Sequence, residues 1–176
     1  VVVILLELLL RLLWYEPYHY QPFSIQSKPK QCIVADSMLG FRLNPGQFQV
    51  TVNEGLHFQL THNVQGNRIT PVKSNQTTFH IQLHGCSYTY GFGIDDSLAM
   101  AYRLQQALDS TVYVESKAVL GYGTVQSYLL LQSAIDSGNI PDMAIINYAS
   151  FHDERNALTP NYRKDLKNGF AHANRK

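Results

Sequence analysis

Apolar and polar residues alternate with a period of two over Phe79–His84. Phe79, Ile81 and Leu83 fall on one side and His80, Gln82 and His84 on the other, the pattern of a strand with one buried face. Downstream, Ser97–Leu108 carries Leu98, Ala101, Leu104, Gln105 and Leu108 at helical spacing, which predicts an amphipathic helix. Thr111–Glu115 reads as a second strand and Ser127–Ile135 as a second amphipathic helix. Pro141-Asp142 then opens the apolar run Met143–Ile146, a third buried strand. This βαβαβ alternation predicts an α/β fold, a parallel sheet with helices on both faces.

Upstream the pattern changes. Asn44-Pro45-Gly46 is a turn, and Gln47–Val52 and Leu56–Thr61 alternate around Asn53-Glu54-Gly55; the sequence predicts a β-hairpin within 36–78, with a further strand ending at Arg68-Ile69-Thr70. Pro71–Thr78 is a polar connector into the Phe79 strand. Residues 16–35, with Pro17, Pro22 and Pro29 among aromatics, read as an extended linker. Residues 1–13 are apolar except at Glu7 and Arg11, i,i+4 partners on one helical face. The segment 1–15 is therefore an apolar helix. It is shorter than the roughly 20 residues that span a bilayer, and two readings stay open: the trailing end of a membrane anchor, with Trp14, Tyr15, Tyr18 and Tyr20 as an interfacial belt, or a buried amphipathic helix.

The chain has 176 residues and a formal net charge of +1, so no polyanionic partner is indicated and nucleic acid is not an expected ligand. Basic residues gather only near the carboxyl end (Arg163, Lys164, Lys167, Arg175, Lys176), which reads as a solvated, frayed tail. Cys32 and Cys86 form no CxxC and no zinc-ligand spacing, and a disulfide between them stays open. His57, His62, His80, His84 and His152 lack a carboxylate or cysteine at ligand spacing, so no metal is expected; His80 and His84 are read as exposed residues of one strand face. Gly91-Phe92-Gly93 has no third glycine to complete a dinucleotide fingerprint. No cofactor is expected.

The chemistry-bearing segment is the end of the first parallel strand. Gly85 permits a sharp turn, and Cys86-Ser87 follow at once, leaving a hydroxyl at the carboxyl edge of a sheet where α/β proteins build their sites. The plainer alternative is a serine that caps the next helix. The run Gly85-Cys86-Ser87-Tyr88-Thr89-Tyr90-Gly91-Phe92-Gly93-Ile94-Asp95 resembles the first block of the SGNH (GDSL-like) hydrolases. The resemblance continues to Ile146, with Leu120-Gly121-Tyr122-Gly123-Thr124 where the family carries its second-block glycine. The LGFRLNPG hairpin and the Gly66-Asn67-Arg68-Ile69-Thr70 closure look like the preamble of some membrane-anchored bacterial SGNH-type proteins.

The resemblance implies a three-layer α/β/α sandwich over 79–176, flavodoxin-like, with Ser87 as nucleophile of an acyl transfer. It also implies an oxyanion hole built from the Ser87 N–H, the Gly121 N–H and a third-block side chain. The usual glycine-x-asparagine-aspartate of that block is absent. His152 lies nearest its place, in Asn147–Asn156 (NYASFHDERN), and is the expected third donor; a solvated, ion-paired loop over 152–155 is the alternative. No aspartate precedes a histidine by three residues, so the family's Asp-x-x-His base is missing, and His172 stands in a different context. About five strands are usual in such sheets and three are visible. The expectation is a hydrolase domain cut at both ends. Its full-length form would be an esterase acting on an ester, an acylated carbohydrate of an extracytoplasmic glycan, from a membrane-anchored position. The alternative is a non-catalytic SGNH-like module that binds a sugar or a protein.

Overall fold

The computed structural model describes residues 1–15, 24–53, 55–71 and 76–173. In chain order they form α1 (Val2–Leu12), β1 (Ile25–Lys28), β2 (Ile33–Asp36), β3 (Gly40–Leu43), β4 (Gly46–Val52) and β5 (Leu56–His62). Then come β6 (Phe79–His84), α2 (Ser87–Tyr90), α3 (Met100–Ala107), β7 (Val112–Ser116), α4 (Thr124–Asp136), β8 (Met143–Ile146), α5 (His152–Asn156) and α6 (Pro160–Ala173). The fold is mixed α/β. The alternating strand at Phe79 becomes the centre of a parallel sheet of order β7-β6-β8, with Gln82 opposite Glu115 on one side and Ala144 on the other. Parallel neighbours need long crossovers, and α3 and α4 lie in them. Ile81, Leu83 and Val114 bury one face of the sheet against Ala101, Leu104 and Leu108, each contributing about 2 kcal/mol of apolar burial.

The segment ahead of β6 is a second β structure. β4 and β5 form the expected hairpin, β1 adds to it as an antiparallel edge, and β2 pairs with β3. Asn53 turns the hairpin with φ +48, a conformation asparagine tolerates, and its Oδ1 accepts from the Ser24 N–H at 2.9 Å. Phe48, Val50, Val52, Phe58 and Leu60 point inward while Gln47, Gln49, His57 and Gln59 face water. Their apolar layer ends on Tyr90, Ala118, Val119 and Tyr122. The hairpin structure is thus seated on the loops that leave the carboxyl ends of β6 and β7.

Several expectations are corrected. The linker over 16–35 contains β1 and most of β2, because β1 pairs with β4 and Ile33 packs against the apolar cluster of the β structure; Tyr18, Tyr20 and the rest of 16–23 lie outside the described residues. The strand ending at Arg68-Ile69-Thr70 shrinks to one bridge between His62 and Arg68. Arg163, Lys164 and Lys167 of the basic tail are helical rather than frayed, while Arg175 and Lys176 lie outside the described residues. α6 packs on β2 and β3 through Tyr162, which is buried, and Leu166. α1 is a helix of 11 residues with the expected Glu7–Arg11 pair at 2.9 Å. It buries none of its residues, so the buried-helix reading fails. Nor does it support a spanning anchor, since no helix among the described residues is long and apolar enough to cross a membrane. Cys32 and Cys86 are both free thiols.

Candidate active site

Ser87 is the first residue of α2, a single turn whose N-cap is the extended Cys86. The turn into it is tight. A β-carbon on Gly85 would lie 2.2 Å from Thr89 Oγ1, so only glycine lets the helix fold back on the strand. Gly91 closes α2 in the left-handed conformation (φ +81, ψ 46), the usual role of a glycine at a helix end. Gly91 N–H and Phe92 N–H both donate to Ser87 O, at 2.9 and 3.0 Å. Cys86 and Thr89 are buried, Ser87 is half-buried and Tyr88 is exposed.

Two other loops are tied to this turn by the backbone. Val119 N–H donates to Gly85 O at 3.1 Å, which brings the loop after β7 alongside, and Asn147 N–H donates to His84 O at 2.9 Å, which does the same for the loop after β8. Gly121 lies two residues beyond Val119, at φ +82, with Phe41 packed where a side chain would stand. Its carbonyl accepts from the Tyr162 hydroxyl at 3.0 Å. Among the described residues neither the Ser87 N–H nor the Gly121 N–H donates a hydrogen bond, and the Ser87 hydroxyl has no partner. Gly121 also lines a cleft of about 710 Å³ with Ile33, Phe41, Leu120 and Leu166.

The segment 152–156, read as either a third-block site or a solvated loop, is the short helix α5 against the start of α4. Asn156 Oδ1 accepts from the Val125 N–H at 3.2 Å, and Arg155 Nη1 donates to Tyr122 O at 2.7 Å. His152 is fully buried. Its Nδ1 stands 3.3 Å from Thr124 Oγ1 and its Nε2 has no partner. Burial, and then the Arg155 charge, hold its pKa below the usual value against the opposing pull of Asp153, so the ring is neutral. The Thr124 hydroxyl can donate or accept: where it donates to Nδ1, Nε2 carries the proton and is a free donor, and where it accepts, Nε2 is a free acceptor. The Tyr88 ring meets Phe151 edge-on at 5.6 Å, which links α2 to this segment.

Sequence reasoning missed Asn147. Its Nδ2 is buried and unpartnered, and its Cβ lies 3.3 Å from where a Gly85 side chain would begin. An amide in the first position after a parallel strand was the available signal. The reading of His80 and His84 as exposed is corrected, because β6 is the central strand and both its faces are covered. His84 has no exposed surface, with Nε2 3.2 Å from Gln82 Oε1. Gln82 in turn donates to Glu115, which also accepts from Asn67, Lys117 and His80. Burial alone would raise the Glu115 carboxyl, but Lys117, Gln82 and His80 together hold it below its ordinary value. His57 is paired with Thr51 and His62 with Tyr90 and Asn44. Among the described residues no group of three His, Cys, Asp or Glu is placed to hold a metal ion.

No protein-family model and no curated protein sequence matches this chain.

Proposed function

We propose that the chain carries the nucleophile of a serine ester hydrolase of the SGNH type, with Ser87 attacking the ester carbonyl. What supports this reading is that the segments carrying Ser87, Gly121, Asn147 and His152 all follow the carboxyl ends of the parallel strands β6, β7 and β8, with the side-chain nitrogens Nδ2 of Asn147 and Nε2 of His152 buried and unpartnered. Buried polar groups are rarely left without partners, and an oxyanion bound there would engage the two buried nitrogens, those of Asn147 and His152. The order β7-β6-β8, with the first strand in the middle, supports a doubly wound, three-layer α/β/α sandwich.

In this reaction Ser87 Oγ forms a bond to the carbonyl carbon as its proton passes to a general base. The oxyanion is held by the donors above. Collapse expels the alcohol, which takes up the proton, and water then releases the acid from the acyl-enzyme. The substrate class is an O-acylated glycan outside the cytoplasm, with the cleft beside Gly121 offering apolar surface to the acyl part. The wholly exposed apolar α1 is the proposed membrane contact; removing residues 1–13 releases the protein from a membrane fraction if this is right and changes nothing if it is wrong. Turnover of acetylated xylan or p-nitrophenyl acetate by the full-length protein should fall by about three orders of magnitude or more in Ser87→Ala; equal turnover removes the assignment. One observation favours a binding module instead: the Ser87 hydroxyl has no base partner among the described residues. A module of that kind gives no turnover and keeps its glycan affinity in Ser87→Ala.

A further inference from the structure

We infer that Arg68, acting with His62, is a positioning residue for Ser87, so that the β structure ahead of β6 is part of the catalytic apparatus. The inference rests on the hydrolase reading above. Arg68 leaves the β5 end of the hairpin and its side chain is 1 % exposed. Nη1 donates to Tyr90 O at 2.7 Å and to Gly91 O at 2.6 Å, Nη2 donates to Ile94 O at 2.6 Å, and Nε donates to Asp96 Oδ1 at 2.9 Å. Those three carbonyls end α2 and form the turn after it. The grip is one bond from the nucleophile, since the Gly91 N–H donates to Ser87 O at 2.9 Å. Gly91 admits the guanidinium: a β-carbon there would stand 2.9 Å from Nη1. The same glycine therefore closes the nucleophile helix and opens the berth for Arg68.

Tyr90 is held a second way. His62 Nδ1 is 2.8 Å from Asn44 O and its Nε2 is 2.7 Å from the Tyr90 hydroxyl. A carbonyl only accepts, so Nδ1 carries the proton and Nε2 of the neutral ring accepts from Tyr90. The Arg68 guanidinium also sits 5.1 Å over the Tyr90 ring, a cation–π arrangement. The Tyr90 hydroxyl and ring and the carbonyls of Tyr90, Gly91 and Ile94 are thereby each held by a directional contact from this β structure. A buried ion pair is poor evidence of stability for its own sake, whereas four donors fanned onto one turn define where that turn lies. Misplacing a nucleophile by about 1 Å costs on the order of a hundredfold in rate.

The test is the rate constant for fluorophosphonate labelling of Ser87 in the full-length protein, measured per folded molecule, with the melting temperature recorded beside it. Arg68→Lys keeps the charge but replaces the planar fork with one nitrogen. Labelling should slow by about tenfold or more and kcat for an ester should fall with KM unchanged. Arg42→Lys, an exposed change on β3, should leave the rate alone. Labelling of Arg68→Lys within twofold of wild type, whatever its melting temperature, makes Arg68 a stabilising residue only and overturns the inference. If Arg68→Lys does not fold, Tyr90→Phe decides, since it removes only the hydroxyl bond to His62: about threefold slower labelling supports the inference and an unchanged rate overturns it. Absence of labelling in the wild-type protein fails the hydrolase reading and the positioning role with it. A labelled wild type with unslowed variants fails the positioning role alone.

Discussion

Acid should destabilise this protein through His84. Its imidazole has no exposed surface, its Nδ1 is buried without a partner, and its other nitrogen meets only the Gln82 amide oxygen. Burial first, and the Lys117 charge second, push its pKa down from 6.5 to about 4, with Glu115 pulling weakly the other way. Because the folded pKa is the lower one, the unfolded chain takes the proton first. The stability contribution is whole above pH 6.5 and is lost as pH falls from there through about 4. Holding an imidazole neutral over that interval is worth on the order of 3 kcal/mol, a large part of a total of about 5–15 kcal/mol. Urea unfolding of wild type and His84→Gln at about pH 7 and pH 4 reads this directly. With a slope of about 1–3 kcal/mol per molar urea, the wild-type midpoint should drop by at least about 1 M more than that of His84→Gln. His62 and His152, whose pKa values burial also lowers, act in both proteins and cancel in the difference. Parallel pH curves for the two proteins would refute the reasoning.

Three further outcomes follow from the same geometry. Glu115→Ala strips the carboxylate from Asn67, Gln82, His80 and Lys117 and should cost about 3–5 kcal/mol in urea unfolding; a loss under about 1 kcal/mol would show that solvent replaces the carboxylate. Gly85→Ala drives a methyl against Thr89 Oγ1 and Thr89 Cβ and should cost about 1–3 kcal/mol by overpacking, with an unchanged melting temperature showing that the turn has room to yield. Asn147→Ala should lower kcat by about a hundredfold with KM held, as for other lost oxyanion donors; unaltered kcat would remove Asn147 from the site.

Much of the parallel sheet was legible because central strands and their helices advertise themselves by period. The Phe79 strand stands where the pattern put it, and the hairpin is bounded by its own turn residues. Met143–Ile146 is a strand as expected, but it is an edge strand and all four of its residues are exposed rather than buried. The rest was hidden by long-range contacts. Arg68 reads only as part of a short strand after the hairpin, and its burial depends on the space left by Gly91, 23 positions away. Tyr162, Leu166 and Gly169 lie on the face α6 turns to Phe41 and its neighbours, yet the surrounding lysines and arginines made the segment look like a tail. β1 and β2 are four residues each, too short for alternation to register beside Pro29. Asn147 offers only its position directly after a strand as a signal, and its place is fixed by the bond from its N–H to His84 O across the sheet.

The most direct test of the central claim is peptide mass spectrometry after treating the full-length protein with a fluorophosphonate. The account predicts a single added phosphonyl group on the peptide containing Ser87, absent from the Ser87→Ala protein. An unmodified Ser87 peptide, or an adduct on another residue that persists in Ser87→Ala, would contradict it.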